Sequence, residues 1–115
     1  MLTNGTRTMS VERRFDRGRV VVAVSGEVDL ATVPQLRAAL RDALATAAGE
    51  LWLDLSATTF MDSSGLHAVF DGQTRATALG RRLAIALPPG PVRRLFELTG
   101  YSERFAVHDA LPPGR

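Results

Sequence analysis

The spacing of hydrophobic residues along the chain alternates between stretches typical of β-strands and stretches with helical periodicity. Near the start, two short β-type runs at residues 10–15 and 19–25 flank Asp16-Arg17-Gly18. This arrangement predicts a β-hairpin with Gly18 at a positive φ, where glycine carries no steric penalty. Residues 20–24 are apolar at every position, which indicates a central strand that is covered on both faces of a sheet.

A helical period follows the second run. Thr32, Pro34 and Gln35 have the form of a capping box, with the threonine as cap, the proline in the first turn and the glutamine three residues on. Apolar side chains then recur at helical spacing until Gly49, which predicts a first helix that covers one face of the sheet. The apolar positions of this helix are Val33, Leu36, Leu40, Leu44 and Ala47.

The alternation of strand and helix then continues. Residues 51–55 predict a buried strand, a short loop leads to Asp62, and a second long helix runs from there to a glycine stop at Gly80. The remaining predicted elements, in chain order, are a strand at 83–87, a rigid turn at 88–91, a short helix at 92–98 and a last strand at 104–107.

Strands that alternate with helices predict an α/β fold with a mixed sheet of four to five strands. An antiparallel hairpin opens this sheet, and about three helices pack on it. We expect residues 9–109 to form one domain, with a flexible N-terminal tail at 1–8 and a C-terminal tail at 110–115. The composition of 45% apolar and 23% charged residues is typical of a globular protein.

The composition also limits the cellular compartment and the kinds of chemistry that are consistent with this chain. The chain contains no cysteine, which excludes disulfides, thiol catalysis and cysteine-ligated metal, and fits a reducing compartment. No window of about 18 apolar residues is present, and the first ten residues lack the apolar run of a secretory signal. We therefore expect a cytoplasmic protein without a membrane partner.

The basic residues are arginines throughout, which raises the sequence pI to about 10.4 although the net charge is only +2. A nucleic-acid binder gathers its basic residues on one face. Here they fall in different segments beside acidic neighbours, as Arg13, Arg37, Arg75, Arg81 and Arg93 do. The sequence thus argues against a direct nucleic-acid partner.

The most informative chemistry lies where the buried strand leads into the second helix. Asp62, Ser63 and Ser64 stand at the predicted helix start, where a hydroxyl or carboxylate can cap free backbone N–H groups. A phosphate added there is stabilised by the same donors and by the helix dipole. Local chemistry alone leaves both interpretations open, a simple cap and a phosphorylation site.

Three segments, in order along the chain, carry a family resemblance. Phe60-Met61-Asp62-Ser63-Ser64-Gly65-Leu66 resembles the signature of STAS-domain anti-sigma factor antagonists. Upstream, Gly26-Glu27-Val28-Asp29-Leu30 is similar to the family element after the second strand. Downstream, residues 92–101 resemble its third helix and following turn. The resemblance covers residues 9–109 and implies the STAS fold.

The resemblance implies a partner-switching cycle. The unphosphorylated antagonist binds an anti-sigma factor that is also an ATP-dependent serine kinase and so frees the sigma factor, until phosphorylation ends the interaction and a serine phosphatase restores it. By position, Ser63 is the implied phosphoacceptor, and Ser64 serves the helix start. Asp29 matches an aspartate near that serine, where it either orients the hydroxyl, hydrogen-bonds the loop or acts as a buried cap. Asp62 and Gly65 belong to the same surroundings.

His67 lies one helical turn after Ser63, where relatives carry a small residue. Its side chain either reaches the partner face or the phosphate, or is simply a solvated helix histidine. A serine hydrolase is disfavoured, because no third orienting group and no Gly-x-Ser-x-Gly elbow is evident. With His108 far away in sequence, we expect no metal site, no cofactor, no catalytic residue and no enzymatic activity.

Two further expectations remain. The alternative function within the same fold is a STAS module that binds a small ligand or serves as a scaffold in a signalling complex, with Ser63 never phosphorylated. The amphipathic helix that often ends the family is expected to be missing, because residues 109–115 are too short and too rich in proline.

Overall fold

The computed structural model describes residues 8–46, 49–103 and 105–113. Within them, five strands form one mixed sheet in sequential order, with one antiparallel pair at the start and parallel pairs after it. This confirms the predicted α/β fold with an opening hairpin and three α-helices. The elements are β1 (Met9–Asp16), β2 (Arg19–Val28), α1 (Val33–Ala45), β3 (Glu50–Met61), α2 (Ser63–Ala78), β4 (Leu83–Ala86), α3 (Pro91–Leu98), a 3₁₀ turn (Tyr101–Glu103) and β5 (Ala106–His108).

The hairpin between β1 and β2 closes through a two-residue turn. Arg17 and Gly18 both have positive φ, of 54° and 87°. This matches a type I′ turn, whose twist suits a tight antiparallel hairpin. Asp16 and Arg19 face each other across the turn and form an ion pair of 2.9 Å, in which the arginine side chain is almost fully buried. The predicted role of Gly18 is confirmed.

The helices pack on one face of the sheet. Because the strands from β2 onward are parallel and follow one another in space, right-handed crossovers place each connecting helix on the same side. The main core lies between that helical layer and one face of β2, β3 and β4, and it includes Val22, Leu53, Ile85, Leu36 and Val69. These elements thereby hold the ends of β2 and β3 in fixed positions.

The opposite face of the sheet carries a smaller apolar cluster. Val21, Trp52, Ala84 and Ala86 are buried there, and Leu111 packs against them from the segment after β5. This explains why β2 is apolar on both faces. No helix follows β5 in the described residues, which extend to 113. No helix in the described part of the chain is long and apolar enough to span a membrane.

One predicted loop is a strand. We expected a strand at 51–55 and a short loop after it, but β3 continues to Met61. Its second half pairs with the second half of β2, with register shifts between the two. The hydroxyl of the buried Thr58 donates to the carbonyl of Val24 at 3.0 Å. Pairing with β2 therefore extends the strand through the predicted loop, and it gives the Thr58 hydroxyl a partner.

The predicted capping box at Thr32 is wrong. Thr32 precedes α1, but its side chain makes no capping hydrogen bond to the helix. The hydroxyl instead donates to the carbonyl of Glu27 at 2.8 Å and accepts the backbone N–H of Asp29 at 3.0 Å. Thr32 is buried, and its two hydrogen bonds join the end of β2 to the turn that follows it.

Two other boundaries differ from the predictions. The last strand covers Ala106–His108, whereas we expected 104–107, and Arg104 lies outside the described residues. The first helix ends at Ala45. The predicted apolar position at Ala47 also lies outside the described residues.

Candidate functional site at the start of helix α2

The candidate site lies at the edge of the sheet where β2 and β3 both end. Because these strands are parallel, their carboxyl ends meet at the same edge. The backbone N–H of Asp62 donates to the carbonyl of Val28 at 3.1 Å, which joins the end of β3 to the end of β2. The turn that starts at Asp29 and the start of α2 are thus neighbours.

Asp62 is the N-cap of α2. Its Oδ1 accepts the backbone N–H of Ser64 at 2.9 Å, the hydroxyl of Ser64 at 2.5 Å and the backbone N–H of Gly65 at 3.3 Å. Burial raises the pKa of Asp62, but hydrogen bonds from Ser64, Gly65 and the backbone of Leu30 outweigh it and hold this pKa below its ordinary value. The carboxylate is therefore ionised at neutral pH, and it links the turn after β2 to the helix.

Ser63 is the first residue of α2 and is exposed. Asp62 engages the N–H groups of the next two residues and the hydroxyl of Ser64, but not Ser63. Among the described residues, none hydrogen-bonds to the Ser63 hydroxyl, and none accepts its backbone N–H. The hydroxyl that the sequence analysis singled out thus faces solvent beside two unused features, a free donor and the positive end of the helix dipole.

Gly65 is buried where α2 meets the ends of β2 and β3. A Cβ at this position would lie 2.7 Å from Cγ of Met61 and 2.8 Å from Cγ1 of Val28. Both distances are far inside van der Waals contact. Glycine therefore lets the first turn of α2 approach the sheet closely, which fixes the height of Ser63 above it.

Asp29 hydrogen-bonds its own turn. Its Oδ1 accepts the backbone N–H of Ala31 at 3.0 Å and that of Thr32 at 3.1 Å. Of the roles that the sequence left open, the structure shows the hydrogen-bonded loop. Ser63 is not a hydrogen-bond partner of Asp29.

His67 lies one turn after Ser63 on α2 and is exposed. Residues four apart share a helix face, so both side chains belong to the same outward surface. Among the described residues, none hydrogen-bonds to the side chain of His67. The structure therefore places it beside Ser63 and leaves it available to a partner.

Leu30 belongs to the same surface, although the sequence analysis did not assign it to the site. Its side chain is 77% exposed, while its backbone N–H approaches the carboxylate of Asp62. The signal was present in the sequence, since an apolar residue directly follows an aspartate in a polar turn. An exposed leucine next to the helix start adds apolar area to the surface around Ser63.

The described residues show no group of three or more histidine, aspartate or glutamate side chains that is suited to hold a metal ion. His108 lies across the molecule on β5, where its ring packs against Trp52 with centroids 4.9 Å apart.

Comparisons with known proteins bear on this geometry. A family model described as "Mlab, STAS domain" matches residues 11–109. The anti-sigma F factor antagonist of Paenibacillus polymyxa is 28% identical over 102 residues, which cover 88% of this chain and 87% of that protein. The chain belongs to the STAS-domain anti-sigma factor antagonist family. The predicted family is thus confirmed.

Solved structures of the family have the same fold. An anti-sigma factor antagonist from Mycobacterium paratuberculosis superposes with a TM-score of 0.77 and 30% identity, over 90% of this chain and 88% of that one. The antagonist SpoIIAA of Bacillus, in its unphosphorylated form, gives 0.66 and 26%, over 90% of each chain. Its phosphorylated form gives 0.65 and 25%, over 86% of this chain and 91% of that one. The relatives of this chain are regulatory proteins, and their names imply an anti-sigma factor partner.

Proposed function

We propose that this chain is a cytoplasmic anti-sigma factor antagonist that is switched by phosphorylation of Ser63. Unphosphorylated, it binds an anti-sigma factor that is also an ATP-dependent serine kinase, and so frees the sigma factor. The observation that carries this proposal is the exposed Ser63 hydroxyl, which lies outside the hydrogen bonds that cap α2. In this role the chain is a substrate and a binding partner, not an enzyme.

The position of Ser63 suits a kinase substrate. The γ-phosphoryl group of ATP transfers to Oγ, ADP leaves, and the hydroxyl proton is released. No hydrogen bond of the cap has to break, because Asp62 and Ser64 form the cap between them. A serine phosphatase hydrolyses the phosphate ester, which projects into solvent; water is consumed, inorganic phosphate leaves and the Ser63 hydroxyl is restored.

The helix start is able to absorb the phosphate locally. Phosphorylation adds a charge of about −1.5 to −2, which the free N–H of Ser63 and the helix dipole stabilise. The ionised Asp62 acts in the opposite sense. We expect these terms to leave the fold intact, and the relative SpoIIAA is known as a structure in both phosphorylation states.

We expect the phosphate to weaken the complex with the partner. Leu30, Ser63 and His67 lie on one exposed surface, and a partner that covers it must desolvate whatever stands at Ser63. A buried phosphate without a matching cation opposes binding by desolvation and by repulsion from partner carboxylates. A loss of about 3 kcal/mol weakens affinity roughly a hundredfold. Asp29, Asp62 and Gly65 hold this surface in shape.

Phosphosite mapping and partner capture test the proposal together. The chain is recovered from its native cells and its phosphosites are mapped by mass spectrometry, with Ser63→Ala as control. Partners captured by the wild type are then compared with those of Ser63→Asp. Ser10→Asp adds the same charge on the opposite face of the sheet and serves as the matched variant.

We expect phosphate on Ser63, and a kinase-fold partner that wild type and Ser10→Asp hold and that Ser63→Asp releases. An unmodified Ser63, together with unchanged capture by Ser63→Asp, would contradict the switch. The same fold would then act as a ligand-binding or scaffold module.

A further inference from the structure

The groove between α1 and α2 gathers arginines that the sequence distributes over two helices. Arg37 and Arg41 on α1 and Arg75 on α2 line one cavity of about 120 Å³, together with Asp71. Arg37 and Arg75, which lie in different segments of the sequence, thus meet in one groove. The remaining lining is formed by Leu40, Leu44, Ala68 and Gly72.

Within this groove, one arginine is paired across the helices. Nη1 of Arg37 lies 2.7 Å from Oδ2 of Asp71. Because α1 and α2 connect successive parallel strands, the two helices run in the same direction, and one turn further along Arg41 and Arg75 occupy corresponding positions. Neither of these two makes an ion pair with any of the described residues.

The groove therefore carries surplus positive charge one helical turn beyond the ion pair of Arg37 and Asp71. Two guanidinium groups line the same cavity, and the residues between them are largely apolar. Like charges repel, and water is a poorer screen beside an apolar surface than in bulk. Arg37 and Arg41 also lie four residues apart on one helix, which is unfavourable for like charges. A carboxylate between Arg41 and Arg75 would relieve this repulsion.

The arginine groove is continuous with the surface that carries Ser63. Ser63, His67, Asp71 and Arg75 follow one another at four-residue spacing along α2, and all are exposed. At a rise of 1.5 Å per residue, Arg75 lies about 18 Å along the helix from Ser63. An interface of standard size, about 800 Å² on each partner, covers both.

We propose that this groove docks an acidic segment of the anti-sigma factor, with one carboxylate held between Arg41 and Arg75. The inference rests on the proposed function and adds to it a second contact that phosphorylation leaves in place. Charge complementarity favours an acidic partner segment, and the small cavity with its apolar lining suits a carboxylate side chain and the aliphatic atoms beside it. The contact sets affinity and partner choice, whereas Ser63 sets the state.

A charge reversal with a matched control tests the groove. The anti-sigma factor captured by the wild type is purified and titrated by calorimetry with wild type, Arg41→Glu/Arg75→Glu and Arg13→Glu/Arg94→Glu. The control pair is exposed on β1 and α3 and changes the net charge equally. We expect the groove variant to lose about tenfold or more in affinity, and the control to stay within about threefold.

Salt provides a second measurement. Raising NaCl from about 50 to about 300 mM should weaken the wild-type complex, because the added ions screen the proposed pairs. This salt dependence should be smaller for Arg41→Ala/Arg75→Ala, which removes the charges without reversing them. The melting temperature of Arg41→Ala/Arg75→Ala should match or exceed that of the wild type, since the two lost charges repel each other.

The outcomes separate the two proposals. Wild-type affinity in the groove variants, with binding lost in Ser63→Asp, overturns the groove and leaves the switch in place. Equal losses in the groove and control variants assign the effect to net charge and also overturn it. If Ser63→Asp binds like wild type, the switch fails, whereas the groove is still judged by the difference between its variant and the control pair. Groove-dependent binding of a labelled DNA duplex would assign the arginines to nucleic acid instead.

Discussion

The starts of α1 and α2 are built from the same chemistry at the same edge of the sheet, yet they differ in what they leave exposed. Each follows a parallel strand, and each is preceded by an aspartate that accepts two backbone N–H groups. Asp29 accepts those of the turn before α1, and Asp62 accepts those of the first turn of α2. Up to this point the two junctions are alike.

The hydroxyl groups separate them. At α1, Thr32 is buried, and its hydroxyl bonds to the carbonyl of Glu27 at the end of β2 and to the N–H of Asp29 in the turn. At α2, Ser64 takes the bonded position, and Ser63 stays exposed without a hydrogen-bond partner among the described residues. A helix start becomes a candidate switch when one hydroxyl is left out of the cap, because it can then be modified without loss of the cap.

Equal charges added at the two starts should have unequal effects on binding. Ser63→Asp is expected to weaken the complex with the anti-sigma factor roughly a hundredfold. Ala31→Asp, which adds the same charge to the exposed turn before α1, should cost less than about tenfold. Titration calorimetry with the purified partner measures both. Equal losses of affinity would mean that binding responds to negative charge anywhere at this edge of the sheet and not to Ser63 in particular.

Packing beneath the α2 start should produce the largest change in stability. Gly65→Ala forces a Cβ against Met61 and Val28, and overpacking of this kind costs about 2 kcal/mol in the free energy of unfolding. Gly72→Ala is the control, because its Cβ would lie 3.1 Å from Cδ1 of Leu40 and 3.6 Å from Cδ2 of Leu83, which are the ends of flexible side chains. Its cost is offset by the higher helix propensity of alanine, by about 1 kcal/mol.

Urea unfolding distinguishes the two glycine variants. On the usual scaling, a loss of about 2 kcal/mol also lowers the melting temperature by about 8 °C. A Gly65→Ala protein as stable as Gly72→Ala would show that α2 can move away from the sheet. The close approach at this helix start would then be dispensable.

Removal of the α2 cap should cost less than the packing change. Asp62→Ala is expected to lower the free energy of unfolding by about 1.5 kcal/mol, since N-cap carboxylates contribute on this scale. Asp62→Asn should lose less, because asparagine also accepts N–H groups at this position. Chemical unfolding at neutral pH measures both. Wild-type stability of Asp62→Ala would contradict the capping role.

The same carboxylate predicts a dependence on pH. The folded state holds the pKa of Asp62 below its unfolded value near 3.8, so its contribution is fully present above that value. It is lost as pH falls through the lower folded pKa. The stability difference between wild type and Asp62→Asn should therefore shrink between neutral and strongly acidic pH. A stability difference that does not change with pH would show that the charge of Asp62 does not stabilise the fold.

The smallest expected effects come from the two hydroxyls themselves. Thr32→Val removes the hydrogen bonds of the hydroxyl to the N–H of Asp29 and to the carbonyl of Glu27 and should cost about 1 kcal/mol in the free energy of unfolding. Ser63→Ala removes a hydroxyl without a described hydrogen-bond partner and should stay within about 0.5 kcal/mol of wild type. Thermal unfolding of both variants measures the contrast. A larger loss of stability for Ser63→Ala than for Thr32→Val would contradict the difference described between the two helix starts.

Local patterns were enough for part of the fold and of the candidate site. The positive φ at Gly18, the alternation of strands and helices, and the helix start at Ser63 follow from residues that are close in sequence. Turn chemistry and helix capping act over a few residues, so a short window contains most of their determinants. The family motif around Ser63 lies within one such window.

Local patterns failed where distant segments meet. A short loop was predicted after residue 55, but pairing with β2 extends β3 to Met61. Thr32 suggested a helix cap, but a carbonyl at the end of β2 draws its hydroxyl away. In both places, a partner supplied by the tertiary structure outweighed the local preference.

The amino-acid sequence by itself determined the order of strands and helices, the fold class, the family and the identity of Ser63 as the residue to test. Only the tertiary structure decided that Ser63 lies outside its own cap, that Leu30 is exposed beside it, and that Arg41 and Arg75 line one groove. The physical reason is that capping and turn formation are short-range. Exposure and the surplus charge of a groove depend instead on which segments the sheet brings side by side.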